Sequence, residues 1–100
     1  MAKSIMQKRD GGCYLCQLLN DDYGEKRVEC HHAIHGTANR KLSERYGLKV
    51  DLCMFHHTVG PEAVHNNAAN DLFVKQMAQV AFENNYPDLD FRKIFGKSFL

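Results

Sequence analysis

The sequence predicts a small α+β fold: two short strands, a helical C-terminal third, and a metal site in place of a large core. Three observations carry this. The chain has 100 residues, 44% hydrophobic and 25% charged, an ordinary globular composition at a length that favours one domain over residues 1–100. It carries four cysteines and six histidines but no tryptophan. Its apolar residues alternate in two short stretches of the first half and then recur at helical spacing. A domain this small buries a modest core and commonly needs a staple, either disulfides or a metal. No apolar run approaches the ~18 residues of a membrane span. The start, MAKSIMQKRDGG, lacks a signal peptide's apolar stretch. The expectation is a cytoplasmic protein with no membrane association, whose reduced thiols bind metal.

The elements follow in order. Residues 1–12 are polar and end in Asp10-Gly11-Gly12, which reads as a flexible lead-in. Cys13-Tyr14-Leu15-Cys16 follows at once, and Asn20-Asp21-Asp22-Tyr23-Gly24 is a turn signal. Arg27-Val28-Glu29-Cys30-His31 alternates as a short strand does, with Cys30 facing away from His31 as a small core residue. Asn39 is placed to N-cap a helix over Arg40–Tyr46, which Gly47 stops. Leu48-Lys49-Val50-Asp51-Leu52 alternates again as a second strand. Pro61 can open a helix carrying Val64, Ala68, Leu72, Met77, Val80 and Ala81 as far as Asn85. Pro87 ends it, and Asp88 can cap a last helix with Leu89, Phe91, Ile94 and Phe95 before Gly96. The apolar stripe from Leu72 to Ile94 is assigned to the core. There is no internal repeat and no low-complexity tract.

Net charge is +1, uninformative as a total. Residues 1–50 hold nine Lys/Arg against six Asp/Glu, and residues 51–100 four against six. Arg40, Lys41, Arg45 and Lys49 form the basic cluster behind the positive first half, a candidate phosphate-contacting surface.

Cys13-x2-Cys16 brings two thiolates onto one tight turn, the knuckle that tetrahedral zinc prefers. Two pairs compete to complete the shell. His31-x3-His35 approximates zinc-finger spacing, but Gly36 interrupts the helix such a finger needs, and Cys53 and His56 are left without a purpose. Cys53-x2-His56 supplies a second knuckle after the second strand, so the expected structural zinc shell is Cys13, Cys16, Cys53 and His56. His31, His32, His35, His57 and His65 remain, more imidazoles than a structural site can use. His35 reads as a solvated loop residue, while Tyr14, Tyr23 and Tyr46 read as packing.

Glu29-Cys30-His31-His32, Leu52-Cys53-x2-His56-His57 and Val64-His65-Asn66, preceded by Cys13-x2-Cys16, together resemble the HNH endonucleases. The likeness is greatest to the small zinc-stapled type encoded by bacteriophages and prophages; it includes the segment 36–50, covers residues 13–67 closely, and extends to the remainder. It implies a ββα-metal core over 13–67, with residues 68–100 as helices packed on it. It also implies a metal-dependent endonuclease that nicks or cuts DNA, leaving a 5′-phosphate and a 3′-hydroxyl, in a bacterial cytoplasm. RNA is the alternative substrate, and phage proteins are candidate partners. Carried over residue by residue, His32 is the general base, and His31, His57 and His65 hold the catalytic cation. Imidazole chemistry suits water activation near neutral pH, and a cation stabilises the charge that develops on phosphate.

This chain departs from the family in three places. His31 stands where many members carry Asp, so the all-imidazole set favours Mn2+, Ni2+ or Co2+ over Mg2+. Asn39 is the candidate for the family's middle Asn. His65 lies eight positions after His57, across Gly60-Pro61. The alternative function is a non-catalytic zinc module that binds nucleic acid or a protein.

Overall fold

The computed structural model describes residues 3–100. The two alternating stretches form an antiparallel ribbon, β1 (Val28–His32) and β2 (Lys49–Cys53). Its register pairs Val28 with Cys53, Cys30 with Asp51 and His32 with Lys49. Alternation then puts Glu29 and His31 on one face, beside Val50 and Leu52, and Cys30 and His32 on the other. Val50 and Leu52 are fully buried in the core.

Residues before Cys13 are not a free lead-in. Ile5 N–H donates to the Gly47 carbonyl (2.9 Å), Asp51 N–H donates to Gln7 Oε1 (2.7 Å), and Arg9 pairs with Asp51 (2.7 Å). The segment runs along β2, satisfying backbone groups that an edge strand would otherwise leave open. Lys49 and Asp51 are buried as a result. Of the lead-in, residues 1 and 2 lie outside the described residues.

Helix α1 (Tyr14–Asn20) occupies the segment expected to be only a knuckle. Cys13 is its N-cap, with Sγ accepting from Cys16 N–H at 3.5 Å. Helix α2 (Thr37–Tyr46) begins before the expected Asn39 cap, because Gly36 adopts φ 102° and its carbonyl accepts from Arg40 N–H at 2.8 Å. That backbone geometry suits glycine, and the helix starts where glycine permits the turn. Gly47 closes α2 in the left-handed region as expected. Fully buried Ser43 donates its hydroxyl to the Ile34 carbonyl (2.7 Å) and accepts from Ile34 N–H (3.2 Å), tying α2 to the end of β1.

After β2, one π-helical turn (Phe55–Val59) doubles back over the ribbon. Pro61 does not open a helix. Residues 60–66 are turns, held by Asn66 Nδ2 donating to the Thr58 (2.8 Å) and Gly60 (3.2 Å) carbonyls. Helix α3 (Ala68–Asn85) starts at Asn67, whose side chain accepts from Asn70 N–H. Its core-facing residues are Val74, Ala78 and Phe82, while Leu72 and Val80 are exposed, so the face rotates away from the expected stripe. Helix α4 (Phe91–Phe95) is capped by Asp90 rather than Asp88, since Asp90 reaches the N–H groups of Arg92 and Lys93. Phe82, Phe91, Phe95 and Tyr46 pack with centroids 4.5 to 6.3 Å apart. Tyr14 is buried and Tyr23 is exposed. No described helix is long and apolar enough to cross a membrane.

Candidate metal centres

Cys13 and Cys16 from the start of α1, Cys53 from the end of β2, and His56 from the π turn converge, and all four are buried. Tetrahedral coordination at ordinary zinc bond lengths implies S···S edges of about 3.8 Å and S···N edges of about 3.6 Å. Cys16 and Cys53 sulfurs lie 3.8 Å apart, and His56 Nδ1 lies 3.6, 3.3 and 3.4 Å from Cys13, Cys16 and Cys53. The group can hold a metal ion, and its donors and spacing are compatible with structural zinc. Burial, and then the Cys13 and Cys53 sulfurs, push the Cys16 thiol up to about 12. A bound cation reverses that penalty by taking thiolates. His56 Nε2 is buried without a hydrogen bond, 3.8 Å from Glu62 Oε2.

A second cluster forms where the π turn passes over the Glu29/His31 face of β1. His31, His57 and His65 offer nitrogens within 4.8 Å of one another. Their rings lie 4.8 to 5.4 Å apart. His31 is 4% exposed, and its Nε2 has no hydrogen-bond partner. Such a nitrogen costs ~1–3 kcal/mol unless something coordinates it. Burial, reinforced by His57, His65 and His35, lowers its pKa to about 3, so it is a neutral donor. Burial and the His57 and His35 rings also lower His65.

Glu29 Oε1 lies 3.0 Å from His57 Nδ1, and His57 Nε2 faces His65 Nε2 at 3.2 Å. A carboxylate only accepts, so His57 donates from Nδ1–H and turns its Nε2 lone pair toward His65. This is the carboxylate–imidazole arrangement that orients metal-bound histidines. Two facing nitrogen lone pairs repel unless a proton or a cation lies between them.

His32 takes the other face of β1. Its Nε2 lies 3.0 Å from Glu44 Oε1, and Lys49 Nζ lies 2.6 Å from Glu44 Oε2. The Lys49 ammonium, followed by His32, holds the Glu44 carboxyl down at about 2. His32 and Arg40 nevertheless line the histidine cleft of about 260 Å³, together with His35 and Cys30. A neighbouring groove of about 540 Å³ is lined by His32, Thr37, Arg40, Lys41 and Glu44.

The residues singled out from sequence divide accordingly. Both metal-ligand sets converge, and the competing His31/His35 closure of the cysteine site does not form. Asn39 does not bond His32; its amide donates to the Phe95 carbonyl at 3.5 Å. Arg40 and Lys41 are exposed along the groove. Arg45 sits over the Tyr46 ring at 5.8 Å. Lys49 is buried on Glu44, apart from the exposed cations. Cys30 is exposed rather than core, because its face of β1 is open at that point. His35 is exposed, as expected of a loop residue, but bonds Asp71 at 3.0 Å. Burial raises the Asp71 carboxyl, yet hydrogen bonds from Lys75 and His35 outweigh it and hold it low.

Glu29, Glu44 and Asp71 were not found from sequence. Glu29 had a signal, being two residues before His31 on a strand and hence on its face. Glu44 and Asp71 had none, since helix packing alone brings them to the histidines. Comparison of the chain with protein-family models, curated proteins and solved structures finds no match.

Proposed function

We propose that this protein is a metal-dependent endonuclease that hydrolyses DNA phosphodiester bonds. The cysteine site would hold structural zinc, and His31, His57 and His65 one divalent cation. The observation that carries the reading is the second cluster. Three imidazoles converge beside a fourth, His32, that is held by a carboxylate, with Arg40 on the same cleft. A folding site needs none of this.

His31, His57 and His65 would hold the cation, which when bound would supply Lewis-acid stabilisation of the charge growing on the phosphate and the leaving oxygen. All-nitrogen donors favour Mn2+, Co2+ or Ni2+ over Mg2+. The chain's own groups do the rest. His32 donates Nε2–H to Glu44, which leaves Nδ1 to take a proton from water. The water oxygen bonds to phosphorus as the P–O3′ bond breaks, and the 3′ oxygen takes a proton from solvent. The products are a 5′-phosphate and a 3′-hydroxyl. Arg40 supplies a fixed positive charge to the phosphate from the rim. Lys41, exposed in the adjoining groove, suits a neighbouring phosphate of the same strand.

The test is supercoiled plasmid incubated with zinc-loaded protein and Mn2+ or Ni2+, comparing wild type with His32→Ala. Nicked or linear product that is lost in the variant is expected. Cleavage indifferent to the substitution refutes the mechanism. No cleavage with any divalent metal, in folded protein, favours the non-catalytic binding module.

A further inference from the structure

We propose that Glu44, anchored by Lys49, is the positioning residue that fixes the ring and tautomer of His32, the role for which Asn39 was the sequence candidate. This rests on the nuclease reading of the histidine cleft. Three elements meet here: His32 ends β1, Lys49 is its cross-strand partner at the start of β2, and Glu44 comes from the last turns of α2. The two oxygens of Glu44 are divided between them, Oε1 to His32 Nε2 at 3.0 Å and Oε2 to Lys49 Nζ at 2.6 Å.

Each contact constrains the next. The Lys49 side chain is 4% exposed, and a buried ammonium needs a fixed counter-charge, so the carboxylate is pinned rather than free to swing. A pinned, ionised carboxylate can only accept, so Nε2 of His32 must carry the hydrogen. The lone pair is thereby confined to Nδ1. When Nδ1 takes a proton from water, the same carboxylate faces the new positive charge and stabilises it, as the acidic member of a nucleophile–histidine–acid triad does. Asn39 is not available for this work, since its amide is directed to Phe95. Glu44 also lines the groove in which Arg40 and Lys41 are exposed, so it sits beside the substrate path without occupying the cation site.

Two measurements on the zinc-loaded full chain test this. Long-range 1H–15N correlation spectra of wild type should show His32 in the Nε2–H form, and Glu44→Ala should release it to a mixture of tautomers. Plasmid nicking with Mn2+ should lose kcat on the order of 10²-fold or more in Glu44→Ala, with KM for DNA and Mn2+ affinity unchanged. Glu44→Gln retains shape and an acceptor oxygen, so it should keep the Nε2–H form and recover part of kcat. It also keeps the proposal falsifiable should the alanine variant fail to fold. A wild-type spectrum with His32 as Nδ1–H, or full kcat in either folded Glu44 variant, overturns the proposal and leaves the nuclease reading intact. A wild type that cleaves nothing overturns both, and the absence of any metal-dependent product distinguishes that case.

Discussion

Replacing His31 with leucine should stabilise the protein while removing its response to a second cation. His31 is 4% exposed, and its Nε2 makes no hydrogen bond. A buried, unsatisfied polar atom costs ~1–3 kcal/mol. Leucine has a similar volume and no such atom, so His31→Leu should recover that cost in zinc-loaded protein free of other metals. At about 4–8 °C per kcal/mol for a domain near this size, the variant should melt roughly 4–24 °C above wild type. Added Mn2+ reverses the comparison. At a hundredfold excess over its Kd, a ligand that binds only the folded state stabilises it by about 2.7 kcal/mol, and wild type alone should gain this. Mn2+ suits the assay because it is a poor match for the thiolates of the other site. Calorimetric or urea melts of both proteins, with and without Mn2+, give four values. A leucine variant less stable than metal-free wild type, or one that gains equally from Mn2+, refutes the assignment of His31 as a strained donor awaiting a cation.

Other outcomes follow from the same geometry. Cys53→Ser should leave the chain unfolded by circular dichroism, because structural zinc binding of about 10–16 kcal/mol is as large as the whole 5–15 kcal/mol net stability of typical domains; a native spectrum with no bound zinc refutes this. Glu29→Ala should weaken Mn2+ binding by about 10–100-fold in calorimetric titration by freeing the His57 tautomer, and unchanged affinity counts against that orienting role. Glu44, held at about 2 by Lys49 and then His32, should stay ionised down to pH 4, read from its side-chain carboxyl 13C shift. Its contribution to stability is complete above the unfolded value of 4.5 and drains as pH falls toward 2; a midpoint above pH 4 contradicts the ion pair. Ser43→Ala should cost ~1–3 kcal/mol in urea unfolding, since it strands buried Ile34 backbone groups, and a neutral substitution shows those groups find other partners.

Local pattern reached a good part of this molecule and then stopped at identifiable places. Both strands and the Gly47 stop were legible because alternation and left-handed glycine are properties of a few neighbouring residues. The starts of α2, α3 and α4 were not. Asn39 and Asp88 are plausible caps and Pro61 a plausible first residue by type, but the chain starts α2 at Gly36 through its backbone, and α3 and α4 at Asn67 and Asp90 through side chains that reach the first helical N–H groups. The core face of α3 is not legible locally, because Leu72 and Val80 are apolar like Val74 and Ala78. Only the direction from which the rest of the chain packs decides which pair is buried.

What the sequence by itself determined is the donor chemistry. The pairing of Cys13-x2-Cys16 with Cys53-x2-His56 follows from how few geometries let soft ligands on short turns surround one ion. The histidines outnumber those that one cysteine-rich metal site can use. What only the tertiary structure decided is which carboxylates serve those histidines. Glu29 meets His57 because a π turn folds back over β1, Glu44 meets His32 because α2 packs across the ribbon, and Asp71 meets His35 from α3. A ligand set written in short spacings can be read locally. The partners that orient it lie 12 to 36 positions away, and packing alone brings them there.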